Sequence, residues 1–137
     1  VSRNASPKTG MALFVYGTLQ RSGDHPMGRL LRRQAVFIGN GVFQGKVFDL
    51  GRYPGAIASS RSRDVVKGEV YELRSNRVLS RLDEYEGNLF HRVVAEIVLT
   101  GGKKVQAWIY LYAGSIRGFR RIASGNYVAS RKSRGAS

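Results

Sequence analysis

A chain of 137 residues with 42% hydrophobic and 23% charged side chains has the length of one domain and enough apolar content for a sizeable core, which excludes wholesale disorder. It has no cysteine, so disulfides, thiolate metal sites and cysteine nucleophiles are excluded, and two histidines, His25 and His91, cannot make a three-histidine metal site. Lys and Arg number 23 against 9 Asp and Glu, a net charge of +14, yet the basic residues are scattered and form no helix-long stripe, zinc finger or paired-aromatic RNA signature.

In chain order, residues 1–11 read as a flexible polar tail, with Met11 immediately before the first apolar run. Ala12 to Tyr16 is a β-prone stretch that stops at Gly17-Thr18, and Gln20 to Pro26 is a polar loop. Met27, Leu30 and Leu31 recur at i, i+3 and i+4, which predicts a short helix with Arg29, Arg32 and Arg33 on its wet side or at its end. Ala35–Ile38 reads as a short strand broken by Gly39-Asn40-Gly41. Extended structure resumes from Val42 to Leu50, with Gly45 marking a bulge or bend. A small apolar piece, Ala56 to Ala58, follows the loop Gly51-Arg52-Tyr53-Pro54-Gly55, and Val65 to Leu73 is a further strand.

Asn76 to Glu86 is the second helix, with Ser75 as cap and Gly87 as its stop. Phe90 to Thr100 and Lys104 to Tyr112 are strands joined by a Gly101-Gly102 hairpin, the second with Val105, Ala107, Ile109 and Leu111 on one face and Trp108, Tyr110 and Tyr112 on the other. From Gly114 onward the chain is basic and turn-rich, ending in a tail over 128–137 that holds Arg131-Lys132-Ser133-Arg134. About six strands with internal glycines and two short helices predict an α+β fold, a small mixed and highly bent β-barrel, as a single domain over 12–127. No apolar run nears the roughly 20 residues of a membrane helix, and no signal-peptide core precedes the first strand. The expectation is a cytoplasmic protein.

Two places carry chemistry. A strand that empties into Gly17-Thr18 leaves successive main-chain N–H groups free to form a concavity for a carboxylate or phosphate oxygen; the plain alternative is an ordinary turn. Three of the nine acids, Asp83, Glu84 and Glu86, crowd the end of the second helix, where the dipole disfavours them. Glu86 falls on the stripe of Leu79 and Leu82, the face that packs inward. Burial, the negative helix end and neighbouring acids all raise a carboxyl's pKa, which suits general acid–base work near neutral pH. The alternative is a plain ion pair with an arginine such as Arg92. Asp83 reads as a partner for a backbone or Arg group, Glu84 as surface, and His25 and His91 as solvent-facing. Tyr16 and Tyr110 read as core, or as ligand-holding hydroxyls if they reach a barrel mouth.

With these segments in hand, the chain resembles the γ-glutamylcyclotransferase-like, or AIG2-like, family, in the manner of its small bacterial members. The resembling pieces are Phe14-Val15-Tyr16-Gly17-Thr18-Leu19, Tyr53-Pro54-Gly55, Lys67-Gly68-Glu69-Val70-Tyr71 and Leu82-Asp83-Glu84-Tyr85-Glu86-Gly87. The Arg92 strand, Ala107-Trp108-Ile109-Tyr110 and Arg121-Ile122-Ala123-Ser124-Gly125-Asn126-Tyr127 follow in the same order. The resemblance implies a compact barrel and a cofactor-free, metal-free reaction that releases an amine from a small-molecule γ-glutamyl substrate, or from an isopeptide, as 5-oxoproline forms. It implies Glu86 as general acid and base, and Tyr16, Gly17, Thr18, Leu19 and Tyr110 as the substrate-binding set. Phe90 stands where many relatives have tyrosine, and the loop after Leu19 lacks an Asn-His pair common among small members. The competing readings are a basic small-barrel module that binds nucleic acid or an anionic small molecule, and a pocket that binds an amino-acid-like ligand, in both cases without turnover.

Overall fold

The computed structural model of the chain describes residues 12–17, 19–20 and 25–130. Its elements are β1 (Ala12–Val15), α1 (Pro26–Gln34), β2 (Ala35–Asp49), β3 (Pro54–Ala58), β4 (Val65–Leu73), α2 (Arg77–Glu86), a 3-10 turn (Gly87–Leu89), β5 (Phe90–Leu99), β6 (Lys104–Tyr112) and β7 (Arg120–Arg121). The polar tail at 1–11, Thr18 and the end of the basic tail from 131 lie outside the described residues.

Alternation along β1 explains why the sheet closes. Ala12, Phe14 and Tyr16 join one apolar cluster and Leu13 and Val15 another, so both faces of this strand are buried. Its neighbours are β4 on one side, antiparallel, and β6 on the other, parallel. The order β2-β4-β1-β6-β5 then returns to β2 through the pairs Gly41↔Leu99, Val42↔Val98 and Phe43↔Ile97, giving a closed five-stranded mixed barrel. Phe14, Val66, Val70, Ile97, Ala107 and Ile109 fill one cluster, which also receives Ile122 and Tyr127 from the C-terminal segment. Leu31 of α1 and Val78, Leu79 and Leu82 of α2 pack with Leu13, Tyr71 and Leu73 in the second. Each such side chain removed from water contributes roughly 1.5–3 kcal/mol.

The expected break at Gly39-Asn40-Gly41 is not there. Gly39, Asn40 and Gly41 pair with Val70, Glu69 and Gly68 of β4, and a register shift between Phe37 and Gly39 absorbs the irregularity. The ladder overrides the local turn preference of the triplet. Gly45 is instead where β2 changes partner, from Gln44↔Val65 to Gly45↔Ala58, and leaves the barrel wall for β3. β7 pairs with the same outer stretch, Phe48↔Arg121 and Asp49↔Arg120. Its arginines reach carboxylates there, Arg121 to Asp64 at 3.0 Å and Arg120 to Asp49 at 3.6 Å. Part of the basic C-terminal segment is thus used to fasten the chain end. Asn126 Oδ1 accepts from the Ala129 N–H and caps a helical turn over 127–130.

Gly68 shows how tightly β4 crosses β1. A Cβ there would lie 2.3 Å from the Val15 carbonyl oxygen and 2.7 Å from the Phe14 ring. Backbone in a barrel wall cannot swing aside. Gly68→Ala is expected to lower unfolding free energy in urea by about 3 kcal/mol; an unchanged midpoint would show that the wall is looser than this geometry.

Candidate functional site

At the end of β1 the chain turns through Tyr16 and Gly17 towards Leu19. The Gly17 carbonyl accepts from the Gln20 N–H at 3.1 Å and from Gln20 Nε2 at 3.2 Å, which pins the turn. Pro54 sits directly on it, since a Cβ on Gly17 would meet Pro54 Cγ at 2.7 Å. Among the described residues, the N–H groups of Gly17 and Leu19 have no hydrogen-bond partner. Free main-chain donors at a strand end are suited to an anionic oxygen.

Tyr16 holds this corner together. Its hydroxyl donates to the Tyr110 carbonyl at 2.6 Å and accepts from the Ala56 N–H at 3.1 Å, so one side chain ties β1 to β6 and β3. Burial pushes its pKa far above the ordinary tyrosine value. The hydroxyl is engaged with backbone; the ring faces a hollow.

The second wall comes from α2. Val78, Leu79 and Leu82 are its buried residues, and Gly87, at φ +70°, stops the helix with its N–H donating to the Asp83 carbonyl. Asn76 occupies the N-cap without a side-chain bond, while Ser75 Oγ accepts from the Arg77 N–H at 3.3 Å. Glu86 continues the Leu79–Leu82 stripe and ends in the hollow. Burial, and secondarily the charge of Asp83, push its carboxyl up to about 7. Among the described residues no hydrogen-bond donor or cation is paired with it.

Asp83, one turn back, has the opposite surroundings. Arg92 of β5 grips it with two bonds, Nε to Oδ1 at 2.8 Å and Nη2 to Oδ2 at 2.9 Å, and holds its carboxyl below the usual range. The Tyr110 hydroxyl donates to the same Oδ1 at 2.5 Å. Burial first, then this bond to Asp83, raise the Tyr110 pKa far above its ordinary value. The Arg92 guanidinium also lies over the Trp108 ring, 4.3 Å from its centroid. The arginine that could have neutralised Glu86 is therefore committed to Asp83. Glu84 and His91 are exposed.

Tyr16, Gly17, Leu19, Glu86 and Tyr110 all line one cavity of about 220 Å³ at this end of the barrel. Thr18, counted with them from the sequence, lies outside the described residues. Tyr53, Pro54 and Tyr85 were not expected at the site from the sequence, yet they line the cavity, and so does Phe90, which the resemblance had placed near it without a role. The Tyr53-Pro54-Gly55 segment was the available signal, because a turn that a proline must cover needs a glycine beneath it. His25, read as surface, accepts from the Met27 N–H through Nδ1 at 3.0 Å and so caps α1, while its Nε2 lies 3.0 Å from the Tyr85 hydroxyl. Among the described residues no three His, Asp or Glu side chains converge as a metal site, and no helix is long and apolar enough to cross a membrane.

Comparison with known proteins bears on this arrangement. The family model described as "Gamma-glutamyl cyclotransferase, AIG2-like" matches residues 13–129. The chain is 30% identical over 122 residues to the γ-glutamylcyclotransferase family protein YtfP of Citrobacter rodentium, covering 86% of this chain and 96% of that one. Among solved structures, PH0828 of Pyrococcus horikoshii superposes with a TM-score of 0.70 at 25% identity, covering 93% and 98% of the two chains. YtfP of Escherichia coli gives a TM-score of 0.64 at 28% identity, covering 88% and 99%.

The raised pKa has a consequence for stability. The folded chain keeps the Glu86 proton up to about pH 7, whereas a solvated carboxyl releases it near 4.5, so folding takes up a proton between those values and stability is lost as pH rises through them. Glu86→Gln removes that loss. In thermal melts the variant should nearly match the parent at about pH 4.5 and exceed it by on the order of 3 kcal/mol by about pH 8. A gap that stays constant across this range would mean that Glu86 is solvated.

Proposed function

The chain belongs to the γ-glutamyl cyclotransferase, AIG2-like family, and we propose that it releases an amine from a γ-glutamyl amide or isopeptide with formation of 5-oxoproline, using Glu86 as general acid and base. One observation carries the reading. Among the described residues, the single carboxyl lining the cavity is unpaired, as are the N–H groups of Gly17 and Leu19, which line the same cavity.

In this reading the substrate's α-carboxylate sits on the turn amides and its α-ammonium faces Glu86. The carboxylate takes a proton from the ammonium, and the resulting amine nitrogen attacks the γ-carbonyl carbon. A C–N bond closes the five-membered ring as the original amide C–N bond breaks. Of the three protons on the α-ammonium, one stays on the ring nitrogen and two end on the departing amine, the one held by Glu86 among them. The nucleophile belongs to the substrate, so the protein's task is to bend it and move protons. Bringing the two ends of one molecule together accounts for several kcal/mol of barrier, and a positioned acid–base group typically adds about 10²–10⁴-fold. A carboxyl poised at about 7 can accept and return a proton near neutral pH. Tyr16 and Tyr110 offer ring faces to the substrate in this scheme, since their hydroxyls are engaged by the Tyr110 carbonyl and by Asp83.

The test is 5-oxoproline release from a panel of γ-glutamyl compounds, followed by chromatography. Glu86→Gln should lower kcat/KM by about 10²–10⁴-fold while the circular dichroism spectrum stays that of the parent. The parent's kcat/KM should rise as pH passes through about 7, the value at which Glu86 becomes a base, and this limb should be missing in the variant. A variant that turns over like the parent leaves Glu86 with a structural role only.

A further inference from the structure

Resting on the cyclotransferase reading, we infer that the amine half of the substrate is aromatic or bulky and apolar, held between Tyr53 and Tyr85 at the mouth of the Glu86 cavity. The inner end of the cavity has its polar duties filled by the turn amides and Glu86. What remains for the departing half is the rim. Tyr53 and Tyr85 both line the cavity and yet stay 38% and 45% exposed. Large apolar side chains left partly in water around a hollow mark a surface that expects a partner.

These rings are held in position, as a binding surface requires. Tyr53 meets Phe90 edge to face at 5.9 Å, and Phe90 leans on Tyr112 at 5.6 Å. Tyr85 meets the His25 imidazole edge-on at 5.1 Å. Because His25 Nδ1 accepts from the Met27 N–H, its proton sits on Nε2 and is donated to the Tyr85 hydroxyl at 3.0 Å. His25 is a positioning residue for Tyr85. Charge points the same way: among the described residues no Lys or Arg lines the cavity, and its one ionisable acid is Glu86. A second carboxylate on the amine half would meet no counter-ion among those lining residues, although the chain carries a net charge of +14. An aromatic ring between two tyrosines needs none.

The experiment compares four substrates by 5-oxoproline release: γ-glutamyl-benzylamine and γ-glutamyl-phenylalanine against γ-glutamyl-glycine and γ-glutamyl-aspartate. The aromatic pair should be favoured in kcat/KM by about tenfold or more, with the difference carried by KM. Tyr53→Ala and Tyr85→Ala should each shrink that ratio by about three- to tenfold, and Tyr53→Phe should restore it. His25→Ala should shrink the ratio with the circular dichroism spectrum unchanged. Product from all four substrates at similar kcat/KM, or ratios that survive both alanine variants, overturns the aromatic subsite and leaves the cyclotransferase reading standing. No 5-oxoproline from any of the four, with the γ-glutamyl panel also silent, overturns that reading and this inference with it.

Discussion

The Asp83–Arg92 pair decides the character of the site. Two acids stand one helical turn apart at the end of α2, in a chain with 23 Lys and Arg to neutralise them. Arg92 engages Asp83 through both nitrogens of its fork and is held on its other face by Trp108. A guanidinium fixed in that way cannot also reach into the cavity. The outcome is a division of labour between two carboxyls: one paired and held ionised, the other desolvated and pushed up to about 7. Divergent environments for two neighbouring acids are a recurring way in which one site obtains a proton carrier at neutral pH.

The barrel makes this arrangement rigid. Glu86 arrives on a helix whose buried side, Val78, Leu79 and Leu82, is packed on the wall, and the turn amides arrive on a strand buried on both faces. Tyr16 ties the end of β1 to β6 and β3 through its hydroxyl while its ring lines the cavity. Tyr110 does the same from the other side, offering its ring to the hollow and its hydroxyl to Asp83. On the proposed reading, donors and proton carrier are thus set before any substrate enters. Preorganisation of this kind is where enzymes obtain much of their electrostatic advantage.

Much of the fold could be read from the chain, for identifiable reasons. The unbroken apolar run of β1, the period-two alternation in β6 and the stripe at 79, 82 and 86 encode burial directly, so these elements and the inward direction of Glu86 follow from the pattern of residues. The continuity of β2 could not be read, because Gly39-Asn40-Gly41 is a local turn signal that β4 and β5 override from either side. Nor could spacing say which acid Arg92 would choose, since Asp83 and Glu86 are both near it in sequence. Asp83 won because its position meets the guanidinium in a planar, two-bond geometry beside the Tyr110 hydroxyl. Tyr53 and Tyr85 escaped notice because a half-exposed aromatic carries no periodic signature. Their meaning comes from the hollow they flank.

The account stands on Glu86 being desolvated and unpaired within the folded chain. The most direct measurement is an NMR titration of the Glu86 side-chain carboxyl carbon in the ligand-free protein, assigned by comparison with Glu86→Gln. The account predicts a Glu86 midpoint near 7 and a lowered one for Asp83 in the same spectra. A Glu86 midpoint at the ordinary 4.5 would contradict it.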